Sequence, residues 1–69
     1  MNNKLLMCWL VGKSLKEASD KAWEVLYDME KAVGRSKEEV MKDIEDFKYC
    51  SEITVLSLGE IIYSIYKRT

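Results

Sequence analysis

Carboxylates are the side chains of this sequence that could bind or react, and they recur at helical spacing. Intervals of three and four residues place side chains on one face of an α-helix. The residues with these intervals form two sets: Glu17, Asp20, Glu24 and Asp28, and then Glu39, Asp43 and Asp46. Such an array could dock on a basic protein, because complementary charge speeds encounter and fixes orientation. The alternative interpretation is a solvated surface that keeps a small protein soluble.

Catalysis is not predicted. The chain has no histidine, which is the commonest general base, and it has no glycine-rich phosphate loop or nucleophile motif. Ser14 and Ser36 are each followed three residues later by a glutamate, so they are better explained as helix caps than as nucleophiles. Asp43 and Asp46 could contact a divalent cation, but a cation with oxygen ligands needs more of them. We therefore predict no enzyme, no metal and no cofactor.

Length and charge limit the class of protein. The 69 residues are enough for one domain, residues 1–69, in which folding buries only ~60% of the surface of the unfolded chain. The net charge of −1 gives no basic excess for phosphates, so we predict no direct binding to nucleic acid or membranes. The apolar run at 5–11 is too short to cross a bilayer and lacks a signal-peptide pattern. We expect a cytoplasmic protein.

Two cysteines, Cys8 and Cys50, each lie in an apolar segment. Isolated cysteines pack as small hydrophobic side chains, so we predict free thiols in a reducing compartment. A disulfide between them stays open as an alternative, because it needs only that their strands be neighbours.

The first half of the chain predicts a strand followed by two helices. Residues 4–11 are apolar at every position after Lys4 and end at Gly12, as in a strand covered on both sides. Residues 14–33 carry an apolar stripe, and Gly34 is placed to end that helix in the left-handed conformation. The stripe consists of Leu15, Ala18, Ala22, Val25, Met29 and Ala32, widened by Leu26 and Val33. Residues 36–46 predict a shorter amphipathic helix.

The C-terminal block favours a β-hairpin. Residues 53–55 and 61–66 are rich in β-branched and aromatic side chains, which favour strands, and Gly59 lies between them in a predicted turn. The predicted fold is a small α+β domain of type β-α-(α)-β-β, with an antiparallel hairpin and both helices on one sheet face. The alternative is an all-α three-helix domain in which residues 51–67 are helical, because several apolar residues there also follow a three-four spacing.

A sheet with helices on one face exposes apolar side chains on the other. A chain this small rarely leaves such a patch uncovered, so we predict a homodimer through the open sheet face or a sheet edge. Aromatic side chains often anchor interfaces. The candidates are Trp9, Tyr63, Ile65 and Tyr66, with the alternative that these residues belong to the core.

Residues 43–49 and 60–68 resemble the C-terminal part of small sporulation-associated and phage-encoded β-α-β-β proteins. In that family a strand of the type Asp-Phe-Lys-Tyr follows the helical region, and a strand of the type Ile-Tyr-Ser-x-Ile-Tyr-Lys closes the chain. The resemblance covers about the last 25 residues and contains no catalytic motif. It implies a bacterial or bacteriophage accessory protein, a class in which small acidic members inhibit host enzymes, including defence nucleases.

Together these features predict a non-enzymatic regulator or inhibitor that docks through its acidic helical face on a basic or nucleic-acid-binding host protein. The alternative is a module that binds a small ligand or nucleotide at a homodimer interface lined by Trp9, Tyr49 and Tyr63, because aromatic faces stack on bases. A structural component of a larger assembly is the third possibility.

Overall fold

Three strands form one antiparallel sheet on which two helices pack. The computed structural model describes residues 3–69, and its elements are β1 (Lys4–Gly12), α1 (Leu15–Ala32), α2 (Lys37–Glu45), β2 (Tyr49–Val55) and β3 (Ile61–Arg68). The strand order is β1-β3-β2, with β3 antiparallel to both neighbours. The α+β prediction and the C-terminal hairpin are confirmed, and the three-helix alternative is wrong.

Both helices begin at the predicted serines. The hydroxyl oxygen of Ser14 accepts a hydrogen bond from the Glu17 amide at 3.1 Å, and that of Ser36 accepts one from the Glu39 amide at 3.1 Å. Each bond satisfies a backbone donor that the first helical turn leaves unpaired. Each glutamate therefore supplies the amide that its serine caps, although both glutamates were also expected to face a partner.

Helix α1 ends at a glycine as expected. Gly34 has φ +86°, and the next amide, that of Arg35, donates to the Glu30 carbonyl at 2.9 Å. This hydrogen bond is the one that defines a Schellman motif. The motif requires a residue in the left-handed conformation, which glycine adopts without steric cost. The turn directs Arg35 back toward the last turn of α1.

The core is thin and lies between α1 and two of the strands. Leu26, Val40 and Ile65 are the largest side chains that are fully buried, and α1 lies over β1 and β3 rather than over β2. Strand β1 approaches α1 closely at Gly12, where an added Cβ atom would lie 2.6 Å from the Ala18 backbone nitrogen. Glycine at this position therefore allows the end of β1 to touch the first turn of α1.

The buried line of α1 differs from the predicted stripe. The buried residues are Ala18, Ala22, Leu26 and Glu30, at intervals of four. Of the predicted apolar positions, Met29 is 38% exposed and Val33 is 72% exposed. The sheet contacts a narrower strip of the helix than the sequence pattern indicates, and that strip includes a carboxylate.

Strand alternation assigns each predicted interface residue to a sheet face. Tyr63 and Ile65 point toward α1, where Ile65 is fully buried in the core. Residues that pair across neighbouring strands share a face, so Trp9 and Tyr66, in register with Ser64 and Leu6, lie on the face without helices. We call this side the open face. The prediction that all four form one interface is wrong, because neighbouring positions of a strand point to opposite faces.

The cysteines do not meet. Cys8 on β1 pairs in register with Ile65 on the helix-facing side, whereas Cys50 on β2 pairs with Tyr66 on the open face. Strand β3 lies between them, so two strand spacings of about 4.8 Å separate their backbones, beyond the ~7 Å limit for a disulfide. Both thiols are free. Within residues 3–69, neither helix combines the length and hydropathy needed to cross a bilayer.

Candidate functional site

A cleft on the outer flank of α1 collects three of the predicted carboxylates. Its volume is about 370 Å³, and its lining residues are Asp20, Trp23, Glu24, Tyr27, Asp28 and Lys37. The carboxylates lie on consecutive turns of α1, and Lys37 comes from the first turn of α2. We call this group the α1 cleft. The carboxylates were expected from the sequence, but the two aromatic rings beside them were not.

The aromatic rings of the α1 cleft are held in place from below. Trp23 and Tyr27 are half-buried and pack against the core. The Trp23 ring meets Tyr49 of β2 edge-on, with centroids 6.0 Å apart and an interplanar angle of 86°. The Lys37 ammonium lies 5.8 Å from the centre of the Tyr27 ring, within the range of a cation–π contact. The cleft therefore already places one cation on an aromatic face.

Two carboxylates of the long stripe are engaged by lysines of the same helix. Asp20 pairs with Lys16 at 2.8 Å, and Glu17 pairs with Lys21 at 3.0 Å. The hydrogen bond from Lys21 lowers the pKa of Glu17 below its usual value. These pairs are exposed, so they stabilise the helix only slightly and can be exchanged for a partner's charges.

Glu24 and Asp28 are the unengaged charges of the α1 cleft. Both are exposed, and within residues 3–69 neither forms an ion pair. They lie four residues apart, which is about 6 Å along the helix axis. They are the two carboxylates that an incoming cation could contact without displacing a lysine.

The carboxylates predicted on α2 do not join the α1 cleft. Glu39 belongs to the first turn of α2, where Ser36 donates to its carboxylate at 3.4 Å. Asp46 follows the last residue of α2 and is exposed. Asp43 is 7% exposed and forms an ion pair with Arg35. The expectation that Asp43 faces a partner is therefore wrong, because its side chain points inward and is neutralised.

Asp43 belongs to a buried ionic cluster that the sequence did not reveal. Arg35 lies between two buried carboxylates, with its Nε 2.6 Å from Glu30 Oε2 and an Nη2 contact to Asp43. The Tyr49 hydroxyl donates to Glu30 at 3.1 Å. Lys67 Nζ lies 3.8 Å from Glu30 and 3.9 Å from Asp43. Lys48 Nζ also lies 3.6 Å from Asp43. The cluster ties both helices to β2 and β3, and each of its buried carboxylates is paired with cations, as expected for a structural role.

The environment of Tyr49 follows from this cluster. Burial, followed by the neighbouring Glu30 carboxylate, raises the pKa of the Tyr49 hydroxyl to about 12. Both causes disfavour a second negative charge beside Glu30. Tyr49 is therefore a neutral hydrogen-bond donor throughout the physiological range.

The three rings of the alternative ligand site, Trp9, Tyr49 and Tyr63, do not share one face of the protomer. Trp9 lies on the open face, whereas Tyr49 and Tyr63 point to the helix-facing side. The three rings cannot line one pocket on the same protomer, because the sheet separates them. Within residues 3–69, no group of three carboxylates or cysteines is placed to hold a metal ion.

The resemblance of residues 43–49 and 60–68 to small sporulation-associated and phage-encoded proteins stays a prediction. The first of these segments is mainly helix and turn, because α2 ends at Glu45 and Phe47 has φ +55°, with β2 starting at Tyr49. The second segment contains the whole of β3. Comparisons with protein-family models, curated proteins and solved structures found no match to this chain.

Proposed function

We propose that this chain is a non-enzymatic protein-binding regulator or inhibitor whose α1 cleft docks on a basic surface of its partner. The observation that supports this function is that two half-exposed aromatic rings and three carboxylates line the same cleft. Either feature alone has a simpler explanation. Exposed carboxylates on a helix keep a protein soluble, and half-buried aromatic side chains pack at the margin of a small core. Their juxtaposition matches what a cationic side chain requires.

An arginine of the partner fits the α1 cleft best. A guanidinium can stack on Trp23 or Tyr27 while donating two parallel hydrogen bonds to Glu24 or Asp28. Charge-assisted hydrogen bonds of this kind are roughly twice as strong as neutral ones. Aromatic residues and arginine are also the side chains that dominate binding energy at interfaces.

The spacing of the carboxylates suggests which basic surface is occupied. Asp20, Glu24 and Asp28 repeat a negative charge about every 6 Å along a rigid helix. A protein groove that receives the phosphates of a nucleic acid also presents cations to a regular series of anions. We therefore propose a nucleic-acid-binding protein, such as a defence nuclease of the host, as the class of partner that this helix would block.

An NMR titration with defined peptides tests the cation-binding step. The probes are tetra-arginine amide and tetra-lysine amide, added to ¹⁵N-labelled protein at low and high salt. We expect amide chemical-shift changes concentrated on residues 20–28 and 37. The changes should be larger with the arginine peptide, because a planar guanidinium stacks on an aromatic ring and an ammonium group does not. High salt should weaken the shifts, since exposed charges are screened.

Matched variants distinguish binding at the α1 cleft from non-specific attraction to the negative charge of the whole protein. The cleft variant carries Asp20→Asn, Glu24→Gln and Asp28→Asn, and the control variant carries Glu38→Gln, Glu45→Gln and Glu60→Gln, with the same change in net charge. The cleft variant should lose the arginine response and the control should keep it. An equal loss in both variants would show that the peptide senses only overall charge.

We also propose that the chain acts as a homodimer. Large apolar side chains on the outer strands are 46–69% exposed, namely Leu5, Leu6, Trp9, Ile53 and Val55. A second copy that covered some of them would add the buried area that a thin core lacks.

A further inference from the structure

The sheet has two edges, and they are not equally protected. Strand β1 carries an irregularity in its register between Leu6 and Cys8, and bulges of this kind hinder pairing with another chain. Strand β2 pairs with β3 without interruption from Tyr49 to Val55. Its sequence contains no proline and no lysine, which are common protective residues at edges.

Residues 51–55 of strand β2 are also uncovered on both faces of the sheet. Residues 51–55 are all exposed, because α1 lies over β1 and β3 instead. On the helix-facing side, Ile53 is 51% exposed and Val55 is 69% exposed. An edge of this kind presents unpaired backbone groups and apolar side chains together, which makes it a template for an added strand.

We propose that β2 pairs antiparallel with β2 of a second copy, so that the homodimer contains one continuous six-stranded sheet. This inference rests on the proposed homodimer and names its interface. Antiparallel pairing of identical edge strands requires a twofold axis perpendicular to the sheet. That axis keeps the helices of both protomers on the same side of the sheet. Odd-numbered residues of one β2 then lie opposite odd-numbered residues of the other, and even-numbered residues lie opposite even-numbered ones.

The side chains select the register of the pair. Centring the axis at Glu52 would give the longest overlap, but it would place two carboxylates directly opposite each other, which is unfavourable. Centring it at Ile53 places Ile53 against its own copy and Ser51 against Val55. The apolar side chains then shield one another, and Glu52 faces Thr54. The Ile53-centred register is therefore the one we assign.

The open face is less suited than the β2 edge to form the homodimer interface. Lys4 and Glu52 form an ion pair across it, and the Lys4 ammonium lies 4.4 Å from the centre of the Tyr66 ring. Covering this face with a second copy would remove both charges from water, a cost that their attraction does not reliably offset. Trp9 and Leu6 are accessible there, so packing on the open face is the competing arrangement that the test must separate.

Sedimentation equilibrium of the full chain between ~5 and ~500 µM, a range that spans ordinary homodimer affinities, is the first measurement. We expect a dimer whose dissociation constant rises roughly tenfold or more in Ile53→Lys, because the register opposes the new charges across the axis. Leu6→Lys, an exposed apolar position on the open face, is the matched control and should leave the constant unchanged. Circular dichroism checks that both variants fold.

Crosslinking tests the register itself. In a Cys50→Ser background, Ile53→Cys should form a disulfide dimer under mild oxidation, because directly opposed residues lie within disulfide range. Leu6→Cys should not. A monomer at every concentration would overturn both the homodimer and its interface. A dimer that resists Ile53→Lys, or that is lost in Leu6→Lys alone, would overturn the β2 pairing and leave the homodimer standing.

Discussion

Replacing Tyr49 with phenylalanine tests the buried ionic cluster, because it removes a single oxygen. The Tyr49 side chain is buried, and its hydroxyl donates to Glu30 at 3.1 Å. A hydrogen bond to a charged group contributes about 1.5–3 kcal/mol. A domain of this size has a total stability of only about 3–10 kcal/mol. We therefore expect Tyr49→Phe to lower the free energy of unfolding at pH 7 by about 2 kcal/mol, measured by urea denaturation.

The same variant should change how stability depends on pH. An unfolded tyrosine ionises near pH 10, whereas the folded pKa of Tyr49 is about 12. Between these values the unfolded state binds fewer protons, so stability falls as pH rises. Each pKa unit corresponds to about 1.4 kcal/mol, so the wild-type protein should lose about 2–3 kcal/mol that Tyr49→Phe does not lose.

The two unfolding curves should therefore converge between pH 10 and 12. Tyr27→Phe is the control, because within residues 3–69 the Tyr27 hydroxyl makes no hydrogen bond. A Tyr49→Phe stability within about 0.5 kcal/mol of wild type at pH 7, well under the value of a hydrogen bond to a charge, would refute this reasoning. So would a constant difference between the two proteins up to pH 12.

Three further predictions follow from local geometry. Gly12→Ala should destabilise by about 1–3 kcal/mol in urea denaturation, as overpacking does, because the added Cβ meets the Ala18 backbone; unchanged stability would contradict that contact. Phe47→Gly should stabilise by about 0.5–1 kcal/mol, since Phe47 has φ +55° and is 75% exposed, whereas Phe47→Ala should give no gain. Alkylation followed by mass spectrometry should label Cys50 before Cys8, because burial raises the pKa of the Cys8 thiol and the thiolate is the form that reacts; the reverse order would count against the assigned faces.

The sequence predicted the features that depend on neighbouring residues. Ser14 and Ser36 begin helices because a capping hydroxyl needs only the amide three residues later. Gly34 ends α1 because the left-handed conformation is a property of one residue. The hairpin follows from β-branched side chains on both sides of Gly59. Their preference for strands outweighs the three-four apolar spacing on which the helical alternative was based.

The sequence failed where the outcome depends on distant residues. Glu30 and Asp43 appear solvated in a linear pattern, because only the folded chain brings Arg35 between them. A signal was present, since Glu30 continues the interval of four that begins at Ala18 and passes through Leu26. The sequence alone could have separated Tyr63 and Ile65 from Tyr66, because odd and even positions of one strand point to opposite faces of the sheet.

The most direct test of the proposed function is affinity capture from a bacterial lysate at two salt concentrations, read by mass spectrometry. Three baits are compared: wild type, the charge reversal Asp20→Lys/Glu24→Lys/Asp28→Lys, and the matched reversal Glu38→Lys/Glu45→Lys/Glu60→Lys. We predict that wild type and the matched reversal capture the same basic protein at low salt, release it at high salt, and that the cleft reversal does not capture it. Capture of that protein by all three baits, or by none, would contradict docking through the α1 cleft.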